Sequence, residues 1–436
     1  MTPAEVRLWG RTIGYVYYDT AKECGFFEYD SDFISSEIEI SPIMMPLSKR
    51  VYSFPELNKA SFHGLPGMLA DSLPDKFGNA VINAWLSSQG RTPQSFNPVE
   101  RLCYTGSRGM GALEYYPATG PDLNKTEKIE VDRLVELASD VLKIRNGLKI
   151  KIGQDPLKQI ISVGSSAGGA RAKAIIAWNQ QTGEMVSGQI PVGKGFDYWL
   201  LKFDGIDNNG DKEGPDSAQY TRIEYAYYLM AKSCGIEMEE CRLFEENGRA
   251  HFLTRRFDRD RINHSKIHMQ TLGAMGHYDY NLSGSCGYEQ AAAIMRQLRM
   301  SHAEICQFYR RMVFNVLAMN HDDHVKNISF LMDKTGRWYL SPAYDLTFAY
   351  NPEGKWTSSH QMTINGKQKN ITINDLLESA VHMNIRKTDA LEIIEEVTQA
   401  ITHWEDYASR AGLNHAVTTA VKNELLQNFS KLNWHR

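Results

Sequence analysis

An α+β fold, β-rich at its N-terminus and helical at its C-terminus, is what this sequence predicts, and three observations predict it. Residues 6–19 and 25–40 alternate apolar and polar side chains around short turns, as half-buried antiparallel strands do. Residues 160–257 are strand-rich again, interrupted by one helix over 222–233 that ends at Gly235. Beyond about residue 285 the apolar positions recur at helical spacing.

Length and composition bound the possibilities. With 436 residues, 42% apolar and 23% charged, the chain is long enough for two or three cores. A formal net charge of -4 gives no basic excess of the kind that binds nucleic acid unaided, so any DNA contact would need a partner. The six cysteines, Cys24, Cys103, Cys234, Cys241, Cys286 and Cys306, form no CxxC pair and no zinc-ligand spacing. They read as buried reduced thiols, which points to the cytoplasm. The first dozen residues carry Glu5, Arg7 and Arg11 with no apolar segment behind them, so no signal peptide is expected. No apolar run approaches the roughly 20 residues that span a bilayer.

Between the two β-rich stretches, residues 64–86 (GLPGMLADSLPDKFGNAVINAWL) place two prolines in a loop. Phe77, Val81, Ala84 and Trp85 then recur at helical spacing. A polar stretch after Pro117 precedes an amphipathic helix carrying Leu134, Leu137, Val141 and Ile144, which sets a domain boundary near residue 120. Three segments are expected, 1–119, 120–258 and 259–436. In the last, Ser301-His302-Ala303-Glu304 is a capping box opening a helix that runs to about Met319. There is no internal repeat.

The strongest constellation follows that helix, at residues 320–346 (NHDDHVKNISFLMDKTGRWYLSPAYDL). Asp322 and Asn327 stand five residues apart, the spacing of the kinase catalytic loop. Two apolar runs, 328–332 and 338–340, flank Asp333-Lys334-Thr335-Gly336, which is hairpin turn chemistry, and Asp345 lies just beyond. Phosphoryl transfer needs a carboxylate to accept the hydroxyl proton and hard oxygen ligands for Mg²⁺, and Asp322, Asn327 and Asp345 supply that set. A cluster of polar residues in an ordinary loop is the bland alternative. A divalent metal site on His321-Asp322-Asp323-His324 is the rival, weakened because two intervening residues do not put both histidines on one helix face. His324 then reads as a brace for the loop.

Upstream, residues 198–203 (YWLLKF) form an apolar strand with a single lysine, Lys202, and Glu224 on the helix 22 residues later could pair with it as a kinase strand lysine pairs with a helix glutamate. Taken singly, each is more commonly a solvated surface charge, and only jointly do they favour the kinase pairing. Residues 163–173 (VGSSAGGARAK) form a Gly/Ser loop before a strand, where backbone N–H groups can approach phosphate oxygens beside Lys173. Ala174 after Lys173 excludes a Walker A loop. The second glycine cluster, residues 106–111 (GSRGMG), reads as a plain turn. In residues 252–259 (FLTRRFDR) a hinge strand would offer backbone hydrogen bonds and the ring of Phe257 to adenine. The basic residues Arg255, Arg256, Arg259 and Arg261 read as a solvated edge, with an acidic partner as the alternative.

With these residues assembled, the chain resembles the HipA family: LADSLPDKFGN at 69–79, GSSAGGARAK at 164–173, TRRFDR at 254–259, DDHVKN at 322–327, SPAYDL at 341–346 and HQMTINGK at 360–367. The resemblance spans most of the chain. It implies a bilobal, protein-kinase-like fold with an N-terminal β-rich subdomain, a small lobe and an all-helical large lobe. It also implies ATP and Mg²⁺, a protein substrate, and the role of serine/threonine kinase toxin in a toxin-antitoxin module. By that likeness Asp322 is the catalytic base, Asn327 and Asp345 are the magnesium ligands, Lys202 is the phosphate lysine and Phe257 contacts adenine. The nucleotide-binding set is completed by Lys173, Gly168, Gly169, Ala170, Arg171, Arg255 and Glu224. The family silences itself by phosphorylating its glycine-rich loop, and counting back from Lys173 makes Ser166 the best match and Ser165 the next. This loop is richer in Gly and Ser than the family's best-known form. The implied partner is a small helix-turn-helix, HipB-like antitoxin through which DNA is reached indirectly, and aminoacyl-tRNA synthetases are the implied class of target. Two other readings stay open: a kinase of small molecules, and a nucleotide-binding corepressor without turnover.

Overall fold

The computed structural model describes residues 3–121, 128–145, 153–164, 171–206 and 219–432. The chain divides into two compact units, one of Met1–Ala218, Phe244–Gln270 and Asp333–Gly336, the other of Gln219–Leu243, Thr271–Met332 and Arg337–Arg436. The architecture is α+β, as the sequence predicts.

The first unit begins with a five-stranded antiparallel sheet in the order β4-β3-β2-β1-β5, made of β1 (Ala4–Leu8), β2 (Arg11–Asp19), β3 (Cys24–Tyr29), β4 (Val51–Tyr52) and β5 (Leu113–Tyr116). Period-2 alternation buries Val6, Val16, Phe27 and Tyr29 and leaves Tyr15 and Tyr17 exposed. The alternation continues in the sequence to residue 40, but the strand stops at Tyr29. Asp30 caps the short helix Ser31–Ile34, its side chain accepting from the Asp32 backbone N–H at 2.9 Å.

A second sheet, in the order β7-β6-β8-β10-β9, contains β6 (Lys173–Trp178), β7 (Met185–Ser187), β8 (Asp197–Lys202), β9 (Cys241–Glu246) and β10 (Arg249–Arg255). The helices Lys76–Ser88, Val131–Arg145 and Gln154–Val163 share one core with it through Phe77, Val81, Leu134, Ile160, Ile176 and Trp199. The helix Gln154–Val163 replaces the strand-rich start expected at residue 160, because Leu157, Ile160 and Ile161 meet the core at helical spacing.

The second unit is mainly helical. Its helices are Tyr220–Ser233, Tyr288–Gln297, His302–Leu317, Ile373–His382, Lys387–Thr402, Trp404–Arg410 and His415–Lys431, with shorter turns between them. Tyr220–Ser233 ends where Gly235 takes a φ of +77°, as the sequence indicates. Buried aromatics hold the bundle: the Tyr227 ring lies 5.6 Å from Trp404 and 6.0 Å from Phe314, both near-perpendicular. After β11 (His268–Thr271), the expected hairpin forms from β12 (Ser329–Met332) and β13 (Trp338–Leu340), with Phe330 opposite Leu340. None of the six cysteines is paired, and five are buried. Among the described residues no helix is long and apolar enough to cross a membrane.

Candidate functional site

The second unit carries the predicted catalytic residues on two segments leaving one helix and one hairpin. The His302–Leu317 helix opens with the expected capping box, the Glu304 carboxylate accepting from the Ser301 N–H at 2.7 Å. It closes with Met319 at φ +54° and the Asn320 N–H bonded to the Asn315 carbonyl at 2.9 Å, a Schellman-type bond that turns the chain out of the helix. Asp322 then emerges with its side chain 46% exposed. Asn327 Nδ2 donates to the Asp322 carbonyl at 2.8 Å, which leaves Asn327 Oδ1 as an acceptor.

Asp345 is held from the other side. Its segment leaves β13 with the Ser341 carbonyl accepting from buried Arg311 at 2.6 Å and the Ala343 N–H bonded to the Glu237 carbonyl at 2.8 Å. Tyr344, one residue before Asp345, donates its hydroxyl to the carbonyl of Lys326, one residue before Asn327, at 2.7 Å. One hydrogen bond therefore ties together the segments bearing the two expected magnesium ligands. Asp345 itself sits at φ +59°, a left-handed conformation that aspartate tolerates better than most residues and that recurs at functional sites. Carboxylate and amide oxygens on half-buried, braced backbone are the donor chemistry Mg²⁺ takes.

The brace of this loop is Asp323. Its buried carboxylate accepts from Tyr288 Oη at 2.9 Å, His360 Nδ1 at 2.9 Å and the Gln361 N–H at 2.7 Å. Asn315 in turn donates to Tyr288 Oη at 2.9 Å. The bracing role expected of His324 falls to its neighbour: His324 Nε2 lies 3.8 Å from Asp322 Oδ1, and the three-bond anchor is Asp323. The rival metal reading of residues 321–324 also fails on geometry. Asp323 turns inward to its three donors, while the His321 ring lies 4.2 Å from His360 with its Nδ1 3.1 Å from the Thr357 carbonyl oxygen. Burial, with His360 and Lys369 adding to it, pushes the His321 pKa down to about 3, so that ring is neutral. Among the described residues no three His, Cys, Asp or Glu side chains converge as a metal cluster.

In the first unit, Lys202 ends β8 directly opposite Lys173 of β6 and Phe252 of β10, with its Nζ 5.7 Å from the Phe252 ring centroid. Two lysines in cross-strand register repel, and both are buried. Lys173 is neutralised by Asp75, whose Oδ2 is 3.3 Å from Nζ with both side chains 3% exposed. Asp75 also caps the Lys76–Ser88 helix, accepting from the Gly78 N–H at 2.6 Å. Glu224 belongs to the second unit and, like Lys202, is buried rather than a solvated surface charge. Arg171 is half-buried at the end of the Gly/Ser loop, whereas Ser165, Ser166, Gly168, Gly169 and Ala170 lie outside the described residues.

Of the four basic residues around Phe257, Arg261 is exposed as a solvated edge requires, while Arg255, Arg256 and Arg259 are not. Arg255 pairs with Asp197, and Phe257 is half-buried. Arg256 grips Asp258 through Nε at 2.8 Å and Nη2 at 2.7 Å, and Arg259 Nη1 reaches the same carboxylate at 2.9 Å. Arg256 and Asp258 are almost fully buried. The third donor to Asp258 is the Gly111 N–H at 2.7 Å, so the 106–111 loop read as a plain turn is a fastening point for the TRRFDR segment. Only glycine fits there: φ is +72°, and a Cβ would stand 3.0 Å from the Met269 nitrogen.

Comparison with known proteins places these motifs in context. Residues 4–116 match the HipA N-terminal domain and residues 165–404 the HipA-like C-terminal domain. A Haemophilus influenzae protein named "Putative kinase" is 29% identical over 159 residues, 33% of this chain and 46% of that protein. "Putative kinase Y4dM" of Sinorhizobium fredii is 25% identical over 203 residues, 42% of this chain and 48% of that protein. The chain thus spans about half the length of these curated relatives. The HipA chain of a Shewanella oneidensis complex of HipA, HipB and operator DNA shares the fold, with a TM-score of 0.68 at 16% identity over 98% of this chain and 96% of that one.

Proposed function

The chain belongs to the HipA family, and from that premise we propose that it is an ATP- and Mg²⁺-dependent serine/threonine protein kinase acting as the toxin of a toxin-antitoxin module. One observation carries the reading: the Tyr344 hydroxyl bonded to the Lys326 carbonyl joins the Asp345 segment to the loop bearing Asp322 and Asn327. A purely repressive protein has no need of two oxygen ligands and a half-exposed carboxylate held on separately braced backbone.

In this reading Asp322 orients the substrate hydroxyl and accepts its proton as the oxygen attacks the γ-phosphorus. Asn327 Oδ1 and the Asp345 carboxylate would hold the metal, which would supply positive charge to offset that of the ATP phosphates. Lys202 fixes the phosphates, with Lys173, Arg171, Gly168, Gly169 and Ala170 contributing to the nucleotide loop and Arg255, Phe257 and Glu224 to the rest of the nucleotide site. The rate enhancement is then mostly positioning and electrostatics. Phosphorylation at Ser166, or at Ser165, would give the loop a charge near -2 that Asp322, Asp345 and bound ATP repel, and so switch the enzyme off. A HipB-like helix-turn-helix antitoxin is the proposed partner, supported by the likeness to the HipA chain of the Shewanella complex.

The test is intact-mass and phosphopeptide analysis of dephosphorylated protein incubated with Mg-ATP. One added phosphate on Ser166 or Ser165 supports the kinase and its self-silencing. ATP binding without any transferred phosphate, to itself or to added protein, would contradict it.

A further inference from the structure

Asp323 stands next to the proposed base, yet its carboxylate points away from solvent and its side chain is only 1% exposed. Burying a carboxylate is costly, and a small or apolar residue would fill the position without that cost if packing alone were at stake. Here the cost is met by three donors, of which His360 is the one side chain brought from the distant 360–367 motif. His360 is itself fixed. Its N–H donates to the Gln368 carbonyl at 3.1 Å, Gln368 Nε2 donates to its carbonyl at 2.8 Å, and its ring is backed by His321 at 4.2 Å. Because the acceptor is a carboxylate, His360 Nδ1 carries the proton of the shared hydrogen bond.

We propose that His360 is a positioning residue for phosphoryl transfer: through Nδ1 it locks the Asp323 carboxylate, and thereby sets the backbone from which Asp322 projects. Asp322 is then held from both sides, its carbonyl by Asn327 and its following residue by His360. This rests on the reading of Asp322 as the base. The step it assists is the ordinary one, in which the hydroxyl proton passes to Asp322 while the oxygen–phosphorus bond forms and the bond to the leaving diphosphate breaks. His360 exchanges no proton with the substrate.

Two substitutions separate positioning from mere packing. Asparagine places an amide N–H near the position of Nδ1, whereas glutamine places it near that of Nε2. His360→Ala is expected to lower kcat about 10- to 100-fold with KM for ATP within about 2-fold, since small misplacements at a reacting centre have effects of that order. His360→Asn should recover to within about 5-fold of wild type, and His360→Gln should not. Hydrogen-deuterium exchange over residues 320–328 gives a readout independent of activity: faster than wild type in His360→Ala and slow again in His360→Asn. Wild-type kcat and exchange in His360→Ala, or rescue by glutamine equal to that by asparagine, would overturn the proposal. A wild type that transfers no phosphate would instead sink the kinase reading, and the exchange experiment would still decide the role of His360.

Discussion

Lys173 Nζ and Asp75 Oδ2 meet at 3.3 Å in a pair that is 3% exposed on each side, linking the LPDKFGN segment to the strand that follows the Gly/Ser loop. A buried pair of this kind is worth little against an apolar replacement of both partners, but removing one partner strands the other. Asp75→Ala should therefore destabilise the protein by about 3–5 kcal/mol in urea unfolding, and the double variant with Lys173→Met should recover much of that loss. Equal stability of Asp75→Ala and wild type would show that Lys173 does not depend on Asp75.

The Asp258 knot makes a similar prediction, again with positive charge left behind. Asp258→Ala leaves Arg256 and Arg259 buried together, and a loss of at least about 3 kcal/mol is expected. Gly111→Val, which combines the positive φ with the approach to Met269, should cost about 2 kcal/mol or more by the same assay. Wild-type unfolding midpoints in both would refute the fastening role.

Acid sensitivity follows from four histidines. Burial pushes the pKa values of His251, His268 and His277 from 6.5 down to about 4, and that of His321 to about 3. Each folded-state pKa lies below the unfolded value, so at any pH between the two the unfolded chain binds more protons. Their stability contribution is complete above about pH 6.5 and is lost as pH falls towards 4. Unfolding free energy measured from pH 7.5 to 4.5 should fall steeply below about 6.5, and a flat profile would contradict the burial of these rings.

Tyr344→Phe removes the hydroxyl that joins the segments of Asn327 and Asp345 while leaving the ring. It is expected to lower kcat about 10-fold and to raise the Mg²⁺ concentration for half-maximal rate. An unchanged Mg²⁺ dependence would show that the two ligands are held by other contacts.

The elements that were legible in the sequence are those whose signal is local. Asp322 and Asn327 declare themselves by spacing, the hairpin by its DKTG turn, and the His302–Leu317 helix by its capping box. Asp323 does not, because a doubled aspartate reads the same whether it faces water or three donors from residues 288, 360 and 361. Arg256 and Arg259 looked like a solvated edge for the same reason, since the carboxylate that buries them is local but the Gly111 N–H that completes the knot is 147 residues away. The motif strings LPDK and HQMTINGK marked Asp75 and His360 without assigning them work. Only the tertiary partners, Lys173 and Asp323, reveal it.

The central claim is that Asp322 is the base of a phosphoryl transfer. Its most direct test is the rate of phosphate transfer from Mg-ATP by wild type and Asp322→Ala, with ATP affinity and folding measured on the same samples. The expected result is a loss on the order of 10² or more in rate with affinity and fold retained. Transfer by Asp322→Ala at the wild-type rate would contradict the account.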